Sequence, residues 1–392
     1  MPYLVSGCRT PIGKFLGGLA GVPAPKLAAV CVAEALRRAG LDADQIDEVI
    51  LGQILTAGVG QAPARQAALA AGLPATVPAL TINKMCGSGL KAVMLADQVI
   101  RSGDARVIVA GGMENMSRAP HLLTGTREGW KYGPQTALDS MIHDGLWCPF
   151  EDAAMGAAAD YIAASRGVSR ADQDAFAAES HRRAAAAIAE GRFRDEIVPV
   201  TAPGRKGEAV IDRDEGPRPD TTAEKLAGLK PAFGAEGTVT AGNASQLSDG
   251  AAALVVVDDE LGRASRSPLK ARIVASAASG VEPKEIFIAP VAAIERVLDK
   301  ARLTLADIDL VELNEAFASQ CLACARPMQL DLSKTNIHGG AIALGHPIGA
   351  SGARVLVTLL HALAARGLRR GLAALCLGGG NAVAMIVERR DE

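Results

Sequence analysis

The 392-residue chain is poor in aromatic residues and carries almost no net charge. Aromatic side chains make up only 3 % of it, which removes the stacking platforms that binders of single-stranded nucleic acid use. The formal net charge of −2 leaves no overall basic field that would collect a polyanion or an anionic membrane surface. We therefore expect neither nucleic acid nor a membrane among its partners.

Long apolar runs and targeting signals are also missing. No apolar run reaches the length that a membrane-spanning helix needs, and the first residues, MPYLVSGCRTPIG, lack the basic start and apolar core of a secretory signal. Seven cysteines scattered along the chain do not form the pattern of a disulfide framework and fit a reducing compartment. The sequence therefore predicts a cytoplasmic protein.

The usual metal and phosphate motifs are absent as well. Cys321 and Cys324 have a C-x-x-C spacing, but they fall inside an expected helix, and no second pair with zinc-site spacing accompanies them. The chain also has no Walker loop. We expect no metal and no permanently bound cofactor.

What the chain does contain is an alternation of Val- and Ile-rich segments with helical patterns, which predicts α/β units around buried strands. In the first part of the chain the expected strands cover residues 3–8, 47–55, 78–86 and 105–111, and the expected helices cover residues 25–39, 63–71 and 88–101. A similar series recurs between residues 271 and 388.

The two parts match each other at a nearly constant offset. Aligning AEALRRAGLDADQIDEVI with ERVLDKARLTLADIDLVE pairs Leu36 with Leu298, 262 positions apart. Further on, the Ser-Gly pair at 88–89 matches the pair at 351–352, 263 positions apart. An internal duplication with two similar α/β halves is the preferred interpretation, and generic α/β patterning is the alternative.

Between the halves the texture changes to short helices, Pro/Gly-rich turns and charge clusters, which favours an inserted loop domain. We predict a first half at residues 1–118 plus 241–268, a loop domain at 119–240 and a second half at 269–392. The clearest helix of the insert is expected at Ser169, because Ser169 and Asp172 have the spacing of a capping box.

Four short segments lie where an expected strand gives way to a turn or helix: NKMCGSG at 83–89, NEAF at 314–317, GGAIALGHP at 339–347 and CLGGG at 376–380. In open α/β sheets, ligands collect at the carboxyl ends of the strands. We therefore expect the four segments to converge on one pocket.

Cys86 and His346 are the first candidates for chemistry. Cys86 directly precedes an expected helix, whose dipole is expected to lower the pKa of the thiol and prepare a nucleophile. Taken alone, a buried structural cysteine is the commoner explanation. His346 lies in a Gly-rich turn next to Pro347, where it is either a general base or a residue that makes only local hydrogen bonds.

The second half supplies further candidates. Cys376 ends an apolar strand before three glycines whose amides are candidate oxyanion donors, although a cysteine there is usually packing. Its place mirrors that of Cys86, so two thiols are expected to face one cleft. Asn314 is either a donor toward an oxyanion or a turn former, and Glu315 is equally explained as a helix-terminal charge.

Together these segments resemble the thiolase family, and the resemblance runs through essentially the whole chain. The matching segments are RTPIGKFLG, NKMCGSG, VIVAGGMENMSRAPH, GTVTAGNAS, NEAF, GGAIALGHPIGASGAR and CLGGG. The resemblance implies an α/β thiolase fold, in which two similar halves form a five-layer α/β/α/β/α arrangement with a loop domain inserted in the first half. It also implies a homodimer or homotetramer.

The resemblance assigns a role to each catalytic candidate. It makes Cys86 the acyl-accepting nucleophile and His346 its activator. Cys376 becomes the acid/base that exchanges a proton with the acetyl methyl carbon. Asn314 is expected to hold a water that forms one oxyanion hole with His346 Nε2, and the amides of Cys86 and Gly378 are expected to form the other.

The same resemblance places coenzyme A against the loop domain. It points to Arg218 near the nucleotide, Ser245 near the pantetheine, and Met155, Phe233 and Phe317 along the thiol arm. For Arg218, a solvated surface residue is the alternative. The expected substrates are acetyl-CoA, acyl-CoA and 3-ketoacyl-CoA.

Two departures from the family pattern bear on the substrate. Many acetoacetyl-CoA thiolases carry a histidine where this chain has Ala154, and the asparagine that often precedes Gly-Gly is His338 here, to which we assign no role. Ala154 favours a broader 3-ketoacyl-CoA thiolase of fatty-acid metabolism or β-oxidation over an acetoacetyl-CoA-specific acetyl-CoA C-acetyltransferase. A decarboxylating condensing enzyme is disfavoured by Cys376, and a non-catalytic CoA- or lipid-binding homologue by the four catalytic candidates.

Overall fold

The computed structural model describes residues 1–204 and 207–389, so residues 205–206 and 390–392 of the predicted domains lie outside it. The strands of the first part are β1 (Tyr3–Arg9), β2 (Gly13–Lys14), β3 (Glu48–Gly52), β4 (Ala79–Ile82) and β5 (Val107–Asn115). Its helices are α1 (Ala24–Ala39), α2 (Pro63–Ala70) and α3 (Ser88–Ser102). The predicted strands and helices of this part are confirmed, apart from shifts of a few residues at their ends.

After Asn115 the chain leaves the main sheet, and its next strand in that sheet begins at residue 248. The strands between are β6 (His121–Leu122), β7 (Leu138–Asp139), β8 (Trp147–Cys148), β9 (Ala153–Ala154), β10 (Val200–Gly204) and β11 (Gly207–Ile211). The helices between are a π-helix (Met141–Leu146), α4 (Met155–Ser165), α5 (Arg170–Ala189) and α6 (Ala223–Ala227). The exact domain boundaries stay a prediction.

The remaining chain completes the first half and builds the second. Its strands are β12 (Ser248–Val257), β13 (Ala271–Gly280), β14 (Leu310–Leu313), β15 (Arg370–Leu377) and β16 (Asn381–Arg389). Its helices are α7 (Asp259–Ala264), α8 (Ala289–Ala301), α9 (Ala318–Met328), α10 (Ala341–Leu344) and α11 (Ser351–Arg366). Cys321 and Cys324 are both buried in α9, as predicted.

The predicted duplication is visible in the sheet. In the first half the strand order is β4-β3-β5-β12-β1, with β3 parallel to β4 and β5, and with β12 antiparallel to β5 and β1. The second half repeats this order as β14-β15-β16-β13, with β14 parallel to β15 and β16 antiparallel to both neighbours. Thr335 adds a parallel bridge to Val311 on the far side of β14, where β4 lies in the first half.

The two halves pack through equivalent helices. Helices α3 and α11 lie against each other, while α1 covers the other face of the first half and α8 that of the second. The equivalent Gly89 and Gly352 allow the close contact. A Cβ atom on Gly89 would lie 2.6 Å from the Ala353 nitrogen, and one on Gly352 would overlap Leu90. The layers therefore follow the predicted order helix, sheet, helix, sheet, helix.

The inserted segment is tied to the start of the chain by buried charges. The Arg9 guanidinium donates to Glu196 at 2.6 Å and to both oxygens of Asp214 at 2.6 and 2.9 Å. Within the insert, Ser169 and Asp172 form the predicted capping box at the start of α5. A buried arginine shared by two carboxylates is costly to separate, so this cluster holds the insert to the first half.

Within residues 1–204 and 207–389, no helix is long and apolar enough to cross a membrane. The same residues contain no group of three or more His, Cys, Asp or Glu side chains placed to hold a metal ion.

Candidate active site

A largely apolar cavity of about 480 Å³ opens between the two halves and the inserted segment. Its wall contains eight of the predicted site residues: Cys86, Met155, Phe233, Ser245, Phe317, His346, Cys376 and Gly378. Asn314 and Arg218 are not part of this wall. The predicted convergence of the segments around Cys86, His346 and Cys376 is therefore observed, and the segment at 314–317 reaches the wall through Ala316 and Phe317.

Cys86 lies on a tight turn between β4 and α3. The preceding residue, Met85, has a positive φ of 47°, a conformation that costs free energy for a residue with a side chain. Its amide donates to Asn83 Oδ1 at 3.0 Å, and its carbonyl accepts from Ser88 Oγ at 2.7 Å. These local bonds hold the strained turn and fix the direction of the Cys86 side chain.

The predicted lowering of the Cys86 pKa is wrong. The pKa of this thiol is raised to about 12, mainly by burial and to a smaller extent by the charge of Glu114. The amides of Cys86 and Gly378 interact with the sulfur and oppose the rise, but they do not outweigh desolvation. The helix start lowers the pKa of Cys86 less than the removal of the thiolate from water raises it. The resting group is therefore a thiol.

This pKa predicts how the free enzyme reacts with iodoacetamide. Although its surroundings exclude most water, Cys86 is the one cysteine of the described residues that is only half-buried, so it should be alkylated first. Because only the thiolate reacts, we expect the rate to rise about tenfold per pH unit from about pH 7 to about pH 10 without a plateau. The Cys86→Ala variant supplies the blank. A plateau below pH 8 would show that the helix start does lower the pKa.

His346 is buried beside the cavity as a neutral base. Desolvation lowers the pKa of its imidazole to about 3, and the nearby Arg354 acts in the same direction. Nδ1 lies 2.6 Å from Ser351 Oγ, which itself donates to the Pro347 carbonyl at 2.9 Å. A hydroxyl that donates to Pro347 accepts from Nδ1–H, which leaves the lone pair on Nε2. Among the described residues Nε2 has no hydrogen-bond partner, so its lone pair is available to accept a proton.

The backbone before His346 needs glycine. Gly345 has a φ of 110°, and a Cβ atom there would overlap Ser248 Oγ. The His346 amide donates to Ser248 Oγ at 3.2 Å and to the Gln246 carbonyl at 3.0 Å. The histidine turn is thus pinned to the segment that leads into β12, which places the imidazole in the wall.

Cys376 is the second thiol of the cavity. It lies at the end of β15 and is almost fully buried. Desolvation raises the pKa of this thiol well above its ordinary value, with smaller contributions from Cys86 and Cys324. The glycines that follow at 379 and 380 both have positive φ, so the chain turns sharply after Gly378. Once deprotonated, Cys376 would be a strong base.

Asn314 follows β14 directly and precedes the wall residues Ala316 and Phe317. Its side chain is buried, and neither its amide nitrogen nor its oxygen has a partner within the described residues. An amide left open in this way suits the predicted role of holding a water. Glu315 points elsewhere: its carboxylate accepts from Ser180, Asn336 and the Ile342 amide, so it anchors the neighbouring segments and is not simply a helix-terminal charge.

Phe233 and Phe317, which were predicted to lie along the thiol arm of coenzyme A, belong to a small aromatic group at the cavity. Phe317 makes edge-to-face contacts with Phe233 at 6.4 Å and with Phe287 at 5.2 Å between ring centroids. Phe233 lies directly on Gly156, where any side chain would overlap its ring. Arg218 is exposed, and its backbone amide donates to His181 Nδ1. Nothing in its contacts selects between nucleotide binding and a solvated arginine.

The two departures from the family pattern have different surroundings. Ala154 is in the cavity wall beside Met155, so its small size affects the site directly. His338 is buried outside that wall, edge-to-face on Phe193 at 5.9 Å. We therefore regard His338 as a residue of the second half that packs against the inserted segment.

Sequence reasoning missed two residues that support the site. The sequence patterns single out Ser351 only as the start of a helix, and they do not single out Glu114 at all. A charged residue inside the apolar strand VIVAGGMEN was the available signal for Glu114, because a buried carboxylate needs partners. Its partners come from distant parts of the chain.

Comparison with known families decides where this arrangement belongs. The family model described as "Thiolase, N-terminal domain" matches residues 3–260, and the one described as "Thiolase, C-terminal domain" matches residues 267–389. The chain belongs to the thiolase family. The resemblance stated from the motifs is thus confirmed, and this thiolase is an acyltransferase enzyme.

Relatives of this thiolase match it over nearly their whole lengths. It is 56 % identical over 387 residues to an acetyl-CoA acetyltransferase of Pseudomonas aeruginosa, with 98 % of each chain covered. It is 54 % identical over 392 residues to an acetyl-CoA acetyltransferase of Cupriavidus necator, with 99 % of each covered. The crystal structure of the Bacillus anthracis acetyl-CoA acetyltransferase superposes with a TM-score of 0.96 at 43 % identity, covering 99 % of this chain and 98 % of that one. The predicted fold is confirmed.

Proposed function

We propose that this thiolase is an acetyl-CoA C-acetyltransferase, which reversibly joins two molecules of acetyl-CoA into acetoacetyl-CoA and CoA by a Claisen condensation. The observation that carries the proposal is the placement of two thiols and a neutral histidine in one cavity. The names of the similar relatives favour acetoacetyl-CoA over the longer 3-ketoacyl-CoA substrates that Ala154 suggested.

The first half-reaction acylates Cys86. His346 Nε2 removes the thiol proton as the sulfur attacks the acetyl carbonyl carbon, which is necessary because the pKa of the free thiol is raised to about 12. The bond between the carbonyl carbon and the CoA sulfur breaks, and the leaving CoA thiolate takes the proton from His346. Amides that interact with the Cys86 sulfur in the free enzyme, those of Cys86 and Gly378, are near enough to stabilise the acyl oxygen.

The second half-reaction forms the carbon–carbon bond. Cys376 passes its proton to the neutral His346 during this step, and the thiolate so formed removes a methyl proton from the second acetyl-CoA. The resulting enolate attacks the acyl carbon, Cys86 leaves as a thiolate, and His346 returns a proton to it. Burial helps here, since a thiolate whose pKa is raised is a stronger base toward carbon.

The surroundings of Cys86 favour a short acyl group. Cys86 packs against an apolar cluster that includes Met141 and Ile348, with Leu146 against the same cluster. Gly145 lies so close that a Cβ atom would be 3.0 Å from Ile348 Cδ1. An acetyl group fits beside such a wall more readily than a long chain.

A substrate panel tests this assignment. With CoA as acceptor, we expect kcat/KM for acetoacetyl-CoA to exceed that for 3-ketooctanoyl-CoA by about tenfold or more, since each excess methylene must displace packed side chains. Cleavage is measured by loss of the 3-ketoacyl-CoA absorbance, with Cys86→Ala as blank. Equal or faster cleavage of the longer substrate would restore the broader 3-ketoacyl-CoA thiolase.

Shortening the wall should change the preference. Leu146→Ala removes a partly buried side chain from the cavity and is expected to raise kcat/KM for 3-ketohexanoyl-CoA relative to acetoacetyl-CoA by about threefold to tenfold. Ile188→Ala, an apolar truncation on the exposed side of α5, is the matched control. An unchanged ratio in Leu146→Ala would place the chain-length limit elsewhere.

The predicted homodimer or homotetramer, the contact of Arg218 with the nucleotide and the cytoplasmic location remain predictions.

A further inference from the structure

Glu114 is a buried carboxylate that the proposed reaction does not use. It lies near the end of β5, is fully inaccessible to solvent, and is not among the residues of the cavity wall. A carboxylate in such a place is costly unless its oxygens are well supplied with donors. Its presence beside the site therefore calls for a physical account.

Three backbone amides supply those donors. The amides of Ile54 and Gly349 donate to Oε2, each at 3.1 Å, and the amide of Leu55 donates to Oε1 at 3.3 Å. Ile54 and Leu55 belong to the loop that follows β3, whereas Gly349 belongs to the turn that carries His346. One side chain thus ties two loops from opposite halves of the molecule.

The fit around Gly349 is tight. A Cβ atom on Gly349 would lie 2.8 Å from Glu114 Oε2 and 2.6 Å from the Met113 carbonyl oxygen. Ile348, the neighbour of Gly349, is in the cavity wall and in the apolar cluster against which Cys86 packs. A shift of this turn would therefore move the wall and the histidine together.

We propose that Glu114 is a positioning residue, whose carboxylate clamps the His346 turn to the loop after β3 and so keeps His346 and Cys86 at their working separation. This inference rests on the proposed function, because the working separation is that of the acyl transfer. Glu114 acts through His346 and does not touch the reacting atoms.

The same carboxylate also sets the electrostatics of the nucleophile. Its charge is one cause of the raised pKa of Cys86. Other titratable groups near the pair are Asp249 on the adjacent β12, whose charge acts on Glu114, Cys376 across the cavity, and His346 in the same wall. Burial raises the pKa of Glu114 to about 8 against the pull of the three amides, so assays above pH 8 keep it ionised.

The test compares Glu114→Gln with Glu312→Gln. The glutamine side chain keeps the shape of Glu114 but loses its charge, and the new NH2 group cannot accept from an amide. We expect kcat for acyl transfer to fall on the order of 10²-fold with KM for acetyl-CoA little changed. Alkylation of Cys86 should move the opposite way, its pH profile shifting toward lower pH. Glu312 is an equally buried carboxylate on β14, and its variant should lose thermal stability without shifting that profile.

Glu114→Asp separates position from charge. It keeps the charge but shortens the reach, so it should lose acyl transfer while the alkylation profile of Cys86 stays in place. An unchanged kcat and an unchanged profile in folded Glu114→Gln would overturn the proposal, and so would parallel losses of both reactions matching those of Glu312→Gln. If the wild-type enzyme condensed no acetyl-CoA, the proposed function would fail, while the alkylation profiles would still report on Glu114.

Discussion

Replacing Cys86 by alanine is expected to lower kcat for condensation and for thiolysis by roughly 10⁴-fold or more. Within the described cavity wall the only other thiol is Cys376, which is almost fully buried and is assigned to a different proton transfer. No side chain is therefore left to carry the acyl group. The loss should appear in both half-reactions, because each passes through the same thioester.

The measurement is the rate of CoA release from acetyl-CoA, together with the thiolysis of acetoacetyl-CoA. Cys31→Ala is the matched control, because Cys31 is a thiol buried in the core of the first half, remote from the cavity. It should keep wild-type activity while folded. Retention of more than about a hundredth of the wild-type rate in Cys86→Ala would remove Cys86 from the role of nucleophile.

Cys376→Ala should divide the two half-reactions. Condensation is expected to fall on the order of 10³-fold, because no base remains to take the methyl proton. Transfer of acetyl between acetyl-CoA and labelled CoA needs only Cys86 and His346 and should stay within about tenfold of wild type. The effect follows from the positions of the thiols, since Cys86 precedes α3 in the first half and Cys376 lies on β15 in the second, both in one cavity wall.

Cys324→Ala is the control for this experiment. Cys324 is a buried neighbour of Cys376, but its sulfur donates to the Phe287 carbonyl and is not in the cavity wall. It should change neither half-reaction by more than a few-fold. Equal losses of exchange and condensation in Cys376→Ala would refute the proposed division of labour.

Much of the fold could be read from local patterns. The constant offset that pairs Leu36 with Leu298 corresponds to equivalent helices, α1 and α8, and the offset of the Ser-Gly pairs corresponds to α3 and α11. These features are carried by residues close in sequence, so their patterns survive without knowledge of tertiary contacts. The capping box at Ser169 was predicted correctly for the same reason.

The properties of the site depended on distant residues and could not be read in this way. The pKa of Cys86 was predicted in the wrong direction because its burial and the charge of Glu114 are tertiary effects. The prediction from the helix dipole took into account only the few residues that follow Cys86. Ser351, five residues after His346, reaches its Nδ1 only because the Pro347 turn folds back, and sequence spacing alone does not report that contact.

Ala154 and the names of the relatives favour different substrates. Ala154 removes a side chain that many acetoacetyl-CoA thiolases have, and the structure places it in the cavity wall. In the proposed function the apolar cluster against which Cys86 packs limits the acyl chain, and Ala154 is not a member of that cluster. The substrate panel, measured on the wild type and on Leu146→Ala, distinguishes the effect of the small Ala154 side chain from that of the apolar cluster.

The location of the acyl group tests the central claim most directly. Cys376→Ala protein incubated with acetyl-CoA, quenched in acid and digested should show a mass increase of one acetyl group on the peptide that contains Cys86. The account predicts that label at close to one acetyl per chain, and none in the Cys86→Ala variant. An acetyl group on another residue, or an unmodified Cys86 peptide while acetyl exchange proceeds, would contradict it.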